Sequence, residues 1–381
     1  MNDRNRKTDT NEIDSRKQPL WYSGRYFDYP LFGIVLGLVL FGLVMVYSTS
    51  SYRADELYGD STYFAKRQLV FELVALVGMF LVSKIDYRRY ARYSKYFLYV
   101  AIALLVLVYI IGSASHGSTR WIYIGAFGFQ PSEFVKLALI VYTADICTRK
   151  PRSLNTIKGL AKMLLLPLIT IVLIAIENLS TAIICFGIVM IIVFVASPKN
   201  WHFILMGVLG ILMCVVFIAT AGYRADRIRI WLAPEKYDDG YQTMQSLYAI
   251  GSGGFFGRGL GNSIQKMGFI PESHNDMIFS VICEELGLFG AVLTIIMFIL
   301  LIYRCTVLAI NSGDRFGGLI AVGVMAHIAV QVLINISVVT NTIPPTGVPL
   351  PFISYGGSSI FFLLLEMGLM FAVARQIKPG R

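Results

Sequence analysis

The chain has 381 residues, of which 56% are hydrophobic and only 15% charged, and its mean hydropathy is +0.65. Soluble domains carry about 25% charged residues, so this composition excludes an ordinary soluble protein and indicates a polytopic membrane protein. The net charge of +10 does not indicate nucleic-acid binding, because the basic residues cluster in alternate loops, which is the pattern of membrane orientation.

A transmembrane helix needs about 20 consecutive, mostly apolar residues. Ten runs approach or exceed this length, and we predict an all-α polytopic membrane protein with ten transmembrane helices. They form one membrane domain over residues 29–375, preceded by a flexible cytoplasmic tail at 1–28 and followed by a short cytoplasmic tail at 376–381. The predicted spans are 29–47, 69–85, 96–111, 132–147, 160–176, 179–197, 201–221, 277–303, 317–340 and 357–374.

Lysine and arginine are concentrated in one set of intervening segments, which includes 84–95, 149–162 and both ends of the chain. Because cytoplasmic loops carry an excess of these residues, we assign this set to the cytoplasm, with both termini inside. The other set forms the outer face. It contains the longest loop, 222–275, between the seventh and eighth spans, and the proline-rich segment 341–356, which we expect to fold back and line a cavity.

Asp276 lies where the longest outer loop runs into the eighth span. A carboxylate at the edge of an apolar helix is costly to bury and is poorly explained by packing. At this position it is suited to take a proton from a substrate held at the membrane surface. We therefore predict that Asp276 is the catalytic residue.

Glu133 and Lys136 are one turn apart in the fourth span and share a helix face. Charged residues inside a membrane normally face the bundle interior and pair. Two interpretations remain open at this point. The pair either links helices structurally, or Lys136 holds an anionic lipid headgroup while Glu133 orients it.

Arg224, Arg227 and Arg229 follow the seventh span on the predicted outer face. Guanidinium groups bind pyrophosphate well, although solvation or contact with lipid headgroups is the simpler alternative. The glycine-rich stretch 251–261 contains neither G-x-G-x-x-G nor a Walker lysine, so we predict no nucleotide site. Close packing of a re-entrant loop is the favoured interpretation of these glycines, and backbone amides that approach a phosphate are the alternative.

Seven motifs in a fixed order resemble those of one family, the SEDS peptidoglycan polymerases of the RodA/FtsW/SpoVE type. The resemblance covers nearly all of residues 27–378. The motifs are RWI at 120–122, QPSEFVK at 130–136, QSLYAIGSGG at 245–254, GLGNSIQK at 259–266, PESHND at 271–276, EELG at 284–287 and PLPFISYGGS at 349–358. The sequence at 350–359 and the pair Gln265-Lys266 favour the division or sporulation branch of this family.

The resemblance implies a peptidoglycan glycosyltransferase of the bacterial cytoplasmic membrane with an outward-facing active site. It would join lipid II units through β-1,4 bonds with inversion, and would release undecaprenyl pyrophosphate in division, elongation or sporulation. Asp276 matches the essential aspartate of the family. The resemblance further implies substrate contacts from Lys136, Glu133, Arg120, Arg224, Arg227, Gln245, Lys266, Ser354 and Ser358.

One position departs from the family pattern. The family usually has Pro-Asp-Leu-Gly-Thr between the fifth and sixth spans, whereas this chain has ENLST at 177–181. Asn178 therefore replaces the usual acid, which puts a charged role at this position in doubt and leaves Glu177 as an alternative.

The resemblance also implies partners. These are lipid II, a class B penicillin-binding protein as the transpeptidase, and other divisome or elongasome membrane proteins. A divalent cation, Mg²⁺ or Mn²⁺, at the pyrophosphate is an open option whose ligands the sequence leaves unknown. Small residues let helices approach closely in a bilayer, so we predict that the penicillin-binding partner contacts Gly317, Gly318, Ala321 and Gly323 of the ninth span.

Two other functions compete with polymerisation. A lipid II flippase would carry out no covalent chemistry, and a non-catalytic scaffold would only recruit a penicillin-binding protein. Polar groups spread through the bundle would favour a flippase, whereas here they concentrate on the outer face. A scaffold would tolerate the loss of Asp276.

Overall fold

The computed structural model describes residues 27–115, 118–124, 127–199, 201–219 and 222–377. Within these ranges the chain is mostly helical. The helices are α1 (Tyr29–Tyr58), α2 (Tyr63–Lys84), α3 (Arg88–Ile111), α4 (Pro131–Arg149), α5 (Ile157–Glu177), α6 (Leu179–Ala196), α7 (Trp201–Ala219), α8 (Gly222–Leu232), α9 (Tyr241–Ser252), α10 (Ile278–Ile310), α11 (Arg315–Val339) and α12 (Gly357–Ala374). Three short strands, β1 (Ser113–Ser115), β2 (Ser118–Ile124) and β3 (Phe127–Phe129), lie between α3 and α4.

Each of the ten predicted spans overlaps one of α1–α7 or α10–α12, although α1 continues to Tyr58 and α2 begins at Tyr63. The helices α8 and α9 lie in the long loop. Eight of the described helices are long and apolar enough to cross a membrane. The other two, α2 and α4, carry more charged side chains. The charges of α4 are tolerated because this helix is enclosed by α3, α6 and α11.

The all-α prediction misses a small antiparallel sheet with strand order β1-β2-β3. In its second pair, Ile122 lies opposite Phe129 and Tyr123 opposite Gly128. Aromatic and β-branched residues favour this extended conformation. The third strand leads directly into α4, which begins with Pro131 in its first turn, where proline is well tolerated. The sheet therefore sets the entry point of the helix that carries Glu133 and Lys136.

Two other expectations need correction. Asp28, predicted to end a flexible tail, is buried; it caps α1 by accepting a hydrogen bond from Leu31 N and pairs with Arg304 Nη2 at 2.6 Å. Of the predicted tails, residues 1–26 and 378–381 lie outside the described ranges. The face of small residues predicted to bind the partner points inward instead, since a Cβ on Gly323 would lie 2.8 Å from Ile140 Cγ2.

The proline-rich segment before α12 has no regular secondary structure over residues 343–350 and lines a cavity, as predicted. Its carbonyl groups are satisfied by side chains of α11. Gln331 Nε2 donates to Pro349 O at 2.9 Å, and Asn335 Nδ2 donates to Val348 O at 2.8 Å. Irregular backbone at membrane depth is tolerated where protein groups satisfy it in this way.

The glycine-rich loop after α9 is bonded to a break inside α10. Gly287 interrupts α10 with φ 68° and ψ −164°. Around it, Arg258 N and Gly259 N donate to Glu284 O and Glu285 O, each at 2.9 Å, and Leu288 N donates to Gly254 O at 2.9 Å. Close packing, the favoured interpretation of these glycines, is therefore confirmed for Gly257, whose added Cβ would lie 2.1 Å from Glu285 O.

Replacing Gly287 by alanine is expected to destabilise the protein strongly. A Cβ there would lie 2.3 Å from Gly257 N and 2.5 Å from Phe255 O, and the backbone has a positive φ. Strain and overpacking together should cost about 3 kcal/mol or more. The matched control is Gly254→Ala, where φ is +57° but no atom lies within 4 Å of the new Cβ, so only strain of about 1–2 kcal/mol applies. Equal losses of thermal stability in detergent would contradict this account of the loop.

Candidate active site

A polar cavity of about 130 Å³ lies between the sheet, α4, the start of α6, α11 and the proline-rich segment. Its lining combines charged and amide side chains with backbone of the irregular segment. The lining residues are Trp121, Gln130, Glu133, Lys136, Asn178, Thr181, Ile184, Gln331, Gly347, Val348 and Pro349. Glu133 and Lys136, which the sequence singled out, therefore share one cavity.

Lys136 is nearly buried, with 2% of its side chain exposed. Its Nζ lies 2.9 Å from Glu133 Oε2 and donates to Gln331 Oε1 at 3.1 Å. A buried ammonium without a counter-charge would be strongly unfavourable, so the carboxylate explains how the lysine stays inside the bundle. The ammonium also borders the cavity, which makes it available to an anionic group there.

Asp276, just before α10, does not line this cavity itself, but its side chain lies next to a residue that does. A Cβ built on Gly347, which lines the cavity, would lie 3.9 Å from Asp276 Oδ2. The backbone of Asp276 is fixed by Asn335 of α11, whose Nδ2 donates to Asp276 O at 2.7 Å. Lys136 lines the cavity and Asp276 lies beside Gly347 in its wall, although the two residues are 140 positions apart in the chain.

Ser354 and Ser358, predicted to bind substrate, both make contacts that hold the walls of the site. Ser354 Oγ donates to Asn275 O at 2.7 Å and accepts from Leu350 N at 2.8 Å. Ser358 Oγ donates to Gly128 O at 2.7 Å, and so connects the start of α12 to β3. These contacts explain the two serines as supports of Asp276 and of the sheet.

The predicted arginines and Gln245 are not among the described residues that line the polar cavity. Arg227 is exposed and donates to Pro345 O at 3.2 Å, which connects α8 to the proline-rich segment. Arg120 and Arg224 belong to β2 and α8, but their side chains lie outside the described part of the chain. Gln245 is half-buried in α9 and does not line the polar cavity.

Lys266, another predicted substrate ligand, is enclosed in a separate buried cluster. Its Nζ lies 2.8 Å from Glu285 Oε1 and donates to Ser48 Oγ at 3.0 Å. Nearby, Glu284 accepts from Ser263 Oγ and from Ile264 N. The cluster ties the glycine-rich loop to α1 and α10, and Lys266 does not line the polar cavity. Its observed contacts are those of a structural residue.

Asn178 caps α6, because its Oδ1 accepts a hydrogen bond from Thr181 N at 3.1 Å. Asparagine and aspartate are about equally good at this position, so the departure from the family pattern preserves the cap. Asn178 also lines the polar cavity, to which it contributes an amide instead of a charge.

The expectation that polar groups concentrate on the outer face is wrong for α11, whose buried polar side chains sequence reasoning missed. His327, Gln331 and Asn335 are spaced by four residues within an apolar helix and are at most 1% exposed. A signal was present, since polar residues inside a membrane span are costly and mark functional interiors. Their partners on α4, α12 and the segment 347–349 could not be read from local sequence.

His274 lies beside the site in an aromatic environment, with ring centroids 4.7 Å from Phe64 and 5.5 Å from Tyr355. Its Nδ1 is buried without a hydrogen-bond partner among the described residues. Burial lowers the pKa of His274 from its ordinary 6.5 to about 4, while Glu272 opposes this shift and Arg53 adds to it.

This shift predicts a pH dependence of stability. The unfolded chain takes up a proton at His274 near pH 6.5 and the folded chain only near pH 4. The stabilisation is therefore complete above pH 6.5 and is lost as the pH falls towards 4, by about 1.4 kcal/mol for each pKa unit. His274→Phe keeps the ring contacts and should give a flatter dependence of the melting temperature on pH between 6.5 and 4. An unchanged slope would contradict the assignment.

Fold and site together define a polytopic membrane protein with a buried carboxylate and ammonium at one polar cavity. The chain matches the model of the FtsW/RodA/SpoVE family, described as cell cycle protein, over residues 29–379. The chain belongs to this family, as the resemblance of its motifs indicates.

Individual relatives agree with this assignment. Stage V sporulation protein E of Bacillus subtilis is 40% identical over 348 residues, covering 90% of this chain and 95% of the relative. A probable peptidoglycan glycosyltransferase FtsW of Trichlorobacter lovleyi is 37% identical over 358 residues, covering 92% and 94%. Among solved structures, a chain of a peptidoglycan synthase complex matches with a TM-score of 0.77 at 27% identity, covering 93% of this chain and 99% of that chain. The rod shape determining protein RodA of Thermus thermophilus matches with a TM-score of 0.69 at 26% identity, covering 93% and 98%.

Proposed function

We propose that this protein is a peptidoglycan glycosyltransferase that polymerises lipid II into β-1,4-linked glycan strands and releases undecaprenyl pyrophosphate. The observation that carries the proposal is that Lys136 lines a polar cavity and Asp276 lies beside Gly347 in the wall of that cavity. A cation in the cavity and a base beside its wall match the two needs of glycosyl transfer from a pyrophosphate donor. Family membership and the FtsW relatives support the same activity.

An apolar groove beside the cavity supports an amphiphilic substrate. It is lined mainly by Leu105, Val108 and Tyr109 of α3 together with Leu173 and Ile174 of α5. Gln130 and Asn178 border both the groove and the polar cavity. A polyprenyl chain in the groove would therefore present its pyrophosphate and sugar to the polar residues.

The mechanism follows from these positions. Asp276 accepts the proton of the acceptor's 4-hydroxyl as that oxygen attacks the anomeric carbon of the donor. The bond from this carbon to the pyrophosphate oxygen breaks with its electron pair on the oxygen. Lys136 stabilises the negative charge that develops on the leaving group. Attack opposite the α-linked leaving group gives the β-linked product.

A divalent cation remains a prediction at this site. Among the described residues, no three His, Cys, Asp or Glu side chains converge as a metal site. Mg²⁺ is commonly bound by one or two carboxylates together with substrate phosphates, so the pyrophosphate would have to supply ligands here. The steps above do not depend on a metal.

We propose a membrane topology in which the ten helices α1–α7 and α10–α12 all cross the membrane. Both termini then lie in the cytoplasm, and the cavity lies towards the outer face. The distribution of lysine and arginine supports this topology.

We further propose that a class B penicillin-binding protein crosslinks the strands. The similar solved chain belongs to a peptidoglycan synthase complex that coordinates polymerisation and crosslinking, which supports such a partner. Division, elongation and sporulation remain the alternative cellular stages.

Reconstitution in liposomes separates polymerisation from the two alternatives. Labelled lipid II in the outer leaflet should be converted into glycan strands of many disaccharides, resolved by gel electrophoresis. A flippase would move lipid II between leaflets without joining it. A scaffold would do neither and would leave all synthesis to its partner.

A further inference from the structure

A chain of buried polar side chains continues from the cavity into the bundle, beyond the residues that the mechanism uses. Gln331 Oε1, which accepts from Lys136, also lies 2.8 Å from His327 Nε2. His327 Nδ1 in turn lies 2.7 Å from Glu366 Oε2 on α12. Glu366 is completely buried, and its other oxygen has no hydrogen-bond partner among the described residues. His327 therefore makes the only hydrogen bond that orients this carboxyl group within the described part of the chain.

The orientation of the Gln331 amide is fixed by its partners. The Lys136 ammonium has only donors, so it must meet the amide oxygen, and Pro349 O is an acceptor, so it must meet the amide nitrogen. Since Gln331 Oε1 can only accept, His327 Nε2 must carry a hydrogen. The contact at Nδ1 then contains one further proton, shared between the imidazole and the Glu366 carboxyl.

This proton count makes the His327–Glu366 pair neutral overall. Either an imidazolium faces a carboxylate, or a neutral imidazole accepts from a carboxylic acid. Both arrangements keep Nε2 as a donor towards Gln331. The Gln331 oxygen is the group that excludes the tautomer in which Nε2 would be an acceptor. Glu366 supplies the counter-charge or the proton that gives Nδ1 a hydrogen-bond partner while Nε2 donates to Gln331.

Gln331 and Asn335 lie one turn apart on α11 and bond to different groups around the cavity. Gln331 binds Lys136 and Pro349 O, while Asn335 binds Asp276 O and Val348 O. Residues four apart share a helix face. We call His327, Gln331 and Asn335 the α11 polar row. It connects the ammonium, the base and the segment 347–349 to a single helix.

A contribution to stability does not by itself explain why His327 and Glu366 are buried here. Burying ionisable groups is costly, and apolar replacements of similar volume are often as stable or more stable. We propose that His327 and Glu366 are positioning residues that act through Gln331 on Lys136. They hold the amide oxygen towards the ammonium, and so keep the ammonium placed for the leaving group. This inference rests on the proposed polymerase function.

Four variants of Glu366 and Gln331 test it in steady-state polymerisation of lipid II by the full chain with its transpeptidase partner. Glu366→Leu removes the hydrogen-bond partner of Nδ1, so the ring that donates to Gln331 is no longer held in place. It should lower kcat about tenfold or more, with a smaller change in KM. Glu366→Gln can still donate to Nδ1 and keep Nε2–H, so its kcat should stay within about twofold of wild type. In a Gln331→Met background, Glu366→Leu should cause no further loss, because the connection to Lys136 is already broken.

The matched control is Asp145→Leu, which removes a buried carboxylate at the other end of α4, where it binds Ser94 Oγ at 2.6 Å. It should lower the melting temperature without lowering kcat. Fully additive losses for Glu366→Leu and Gln331→Met, or equal losses for Glu366→Gln and Glu366→Leu, would overturn the positioning role while leaving the polymerase function intact. A wild-type complex that makes no glycan would overturn both.

Discussion

Asp276→Asn is expected to abolish glycan polymerisation while the protein still folds and binds lipid II. The amide nearly preserves the shape of the carboxylate but cannot accept the proton of the acceptor hydroxyl. General base catalysis typically contributes about 10²–10⁴-fold to the rate. The polymerisation rate should therefore fall by about 10²-fold or more relative to the wild type. The rate of glycan formation and the binding of labelled lipid II should be measured on the same preparation.

Glu272→Gln provides the matched control for this variant. Glu272 belongs to the same loop and accepts a hydrogen bond from Asn275 Nδ2 at 2.8 Å, which a glutamine oxygen can also accept. Its activity should remain close to that of the wild type. Normal glycan strands from a well-folded Asp276→Asn protein would remove Asp276 from the catalytic role and favour the scaffold.

Lys136→Met is expected to impair both stability and activity. It leaves Glu133 as a buried carboxylate without its cation, which should cost about 3–5 kcal/mol. It also removes the ammonium that borders the cavity. Thermal unfolding in detergent and the polymerisation rate should therefore both decline.

The double variant Glu133→Gln, Lys136→Met separates the two effects. It removes both charges, so stability should return towards that of the wild type. Activity should stay lost, because the leaving group would have no cation. Recovery of near-normal polymerisation would show that the ion pair is only structural and would contradict the substrate contact of Lys136.

The helices were largely predictable from the sequence. Bilayer thickness imposes a long apolar run on each crossing, so segments such as 179–197 and 317–340 indicate α6 and α11 directly. The small sheet was missed because β1 and β3 are three residues long and carry too little periodic signal. The break at Gly287 depends on a loop that packs against it from 30 residues earlier, which no local pattern reveals.

The site was predictable in part, and the reasons are physical. Glu133 and Lys136 could be paired because helical spacing places them on one face. Lys266 and Ser358 belong to equally distinctive motifs, yet their polar atoms bond to protein groups. Sequence does not distinguish a side chain that binds substrate from one that supports the wall. The pairing of His327 with Glu366 likewise depends on the packing of α11 against α12.

The most direct test of the central claim is the product formed from labelled lipid II by the wild-type chain, reconstituted with an inactive transpeptidase partner. The account predicts long, uncrosslinked strands that a muramidase specific for β-1,4 bonds degrades to disaccharides. It also predicts that the same complex carrying Asp276→Asn leaves lipid II unchanged. Lipid II left intact by the wild-type complex, or equal strands from both complexes, would contradict it.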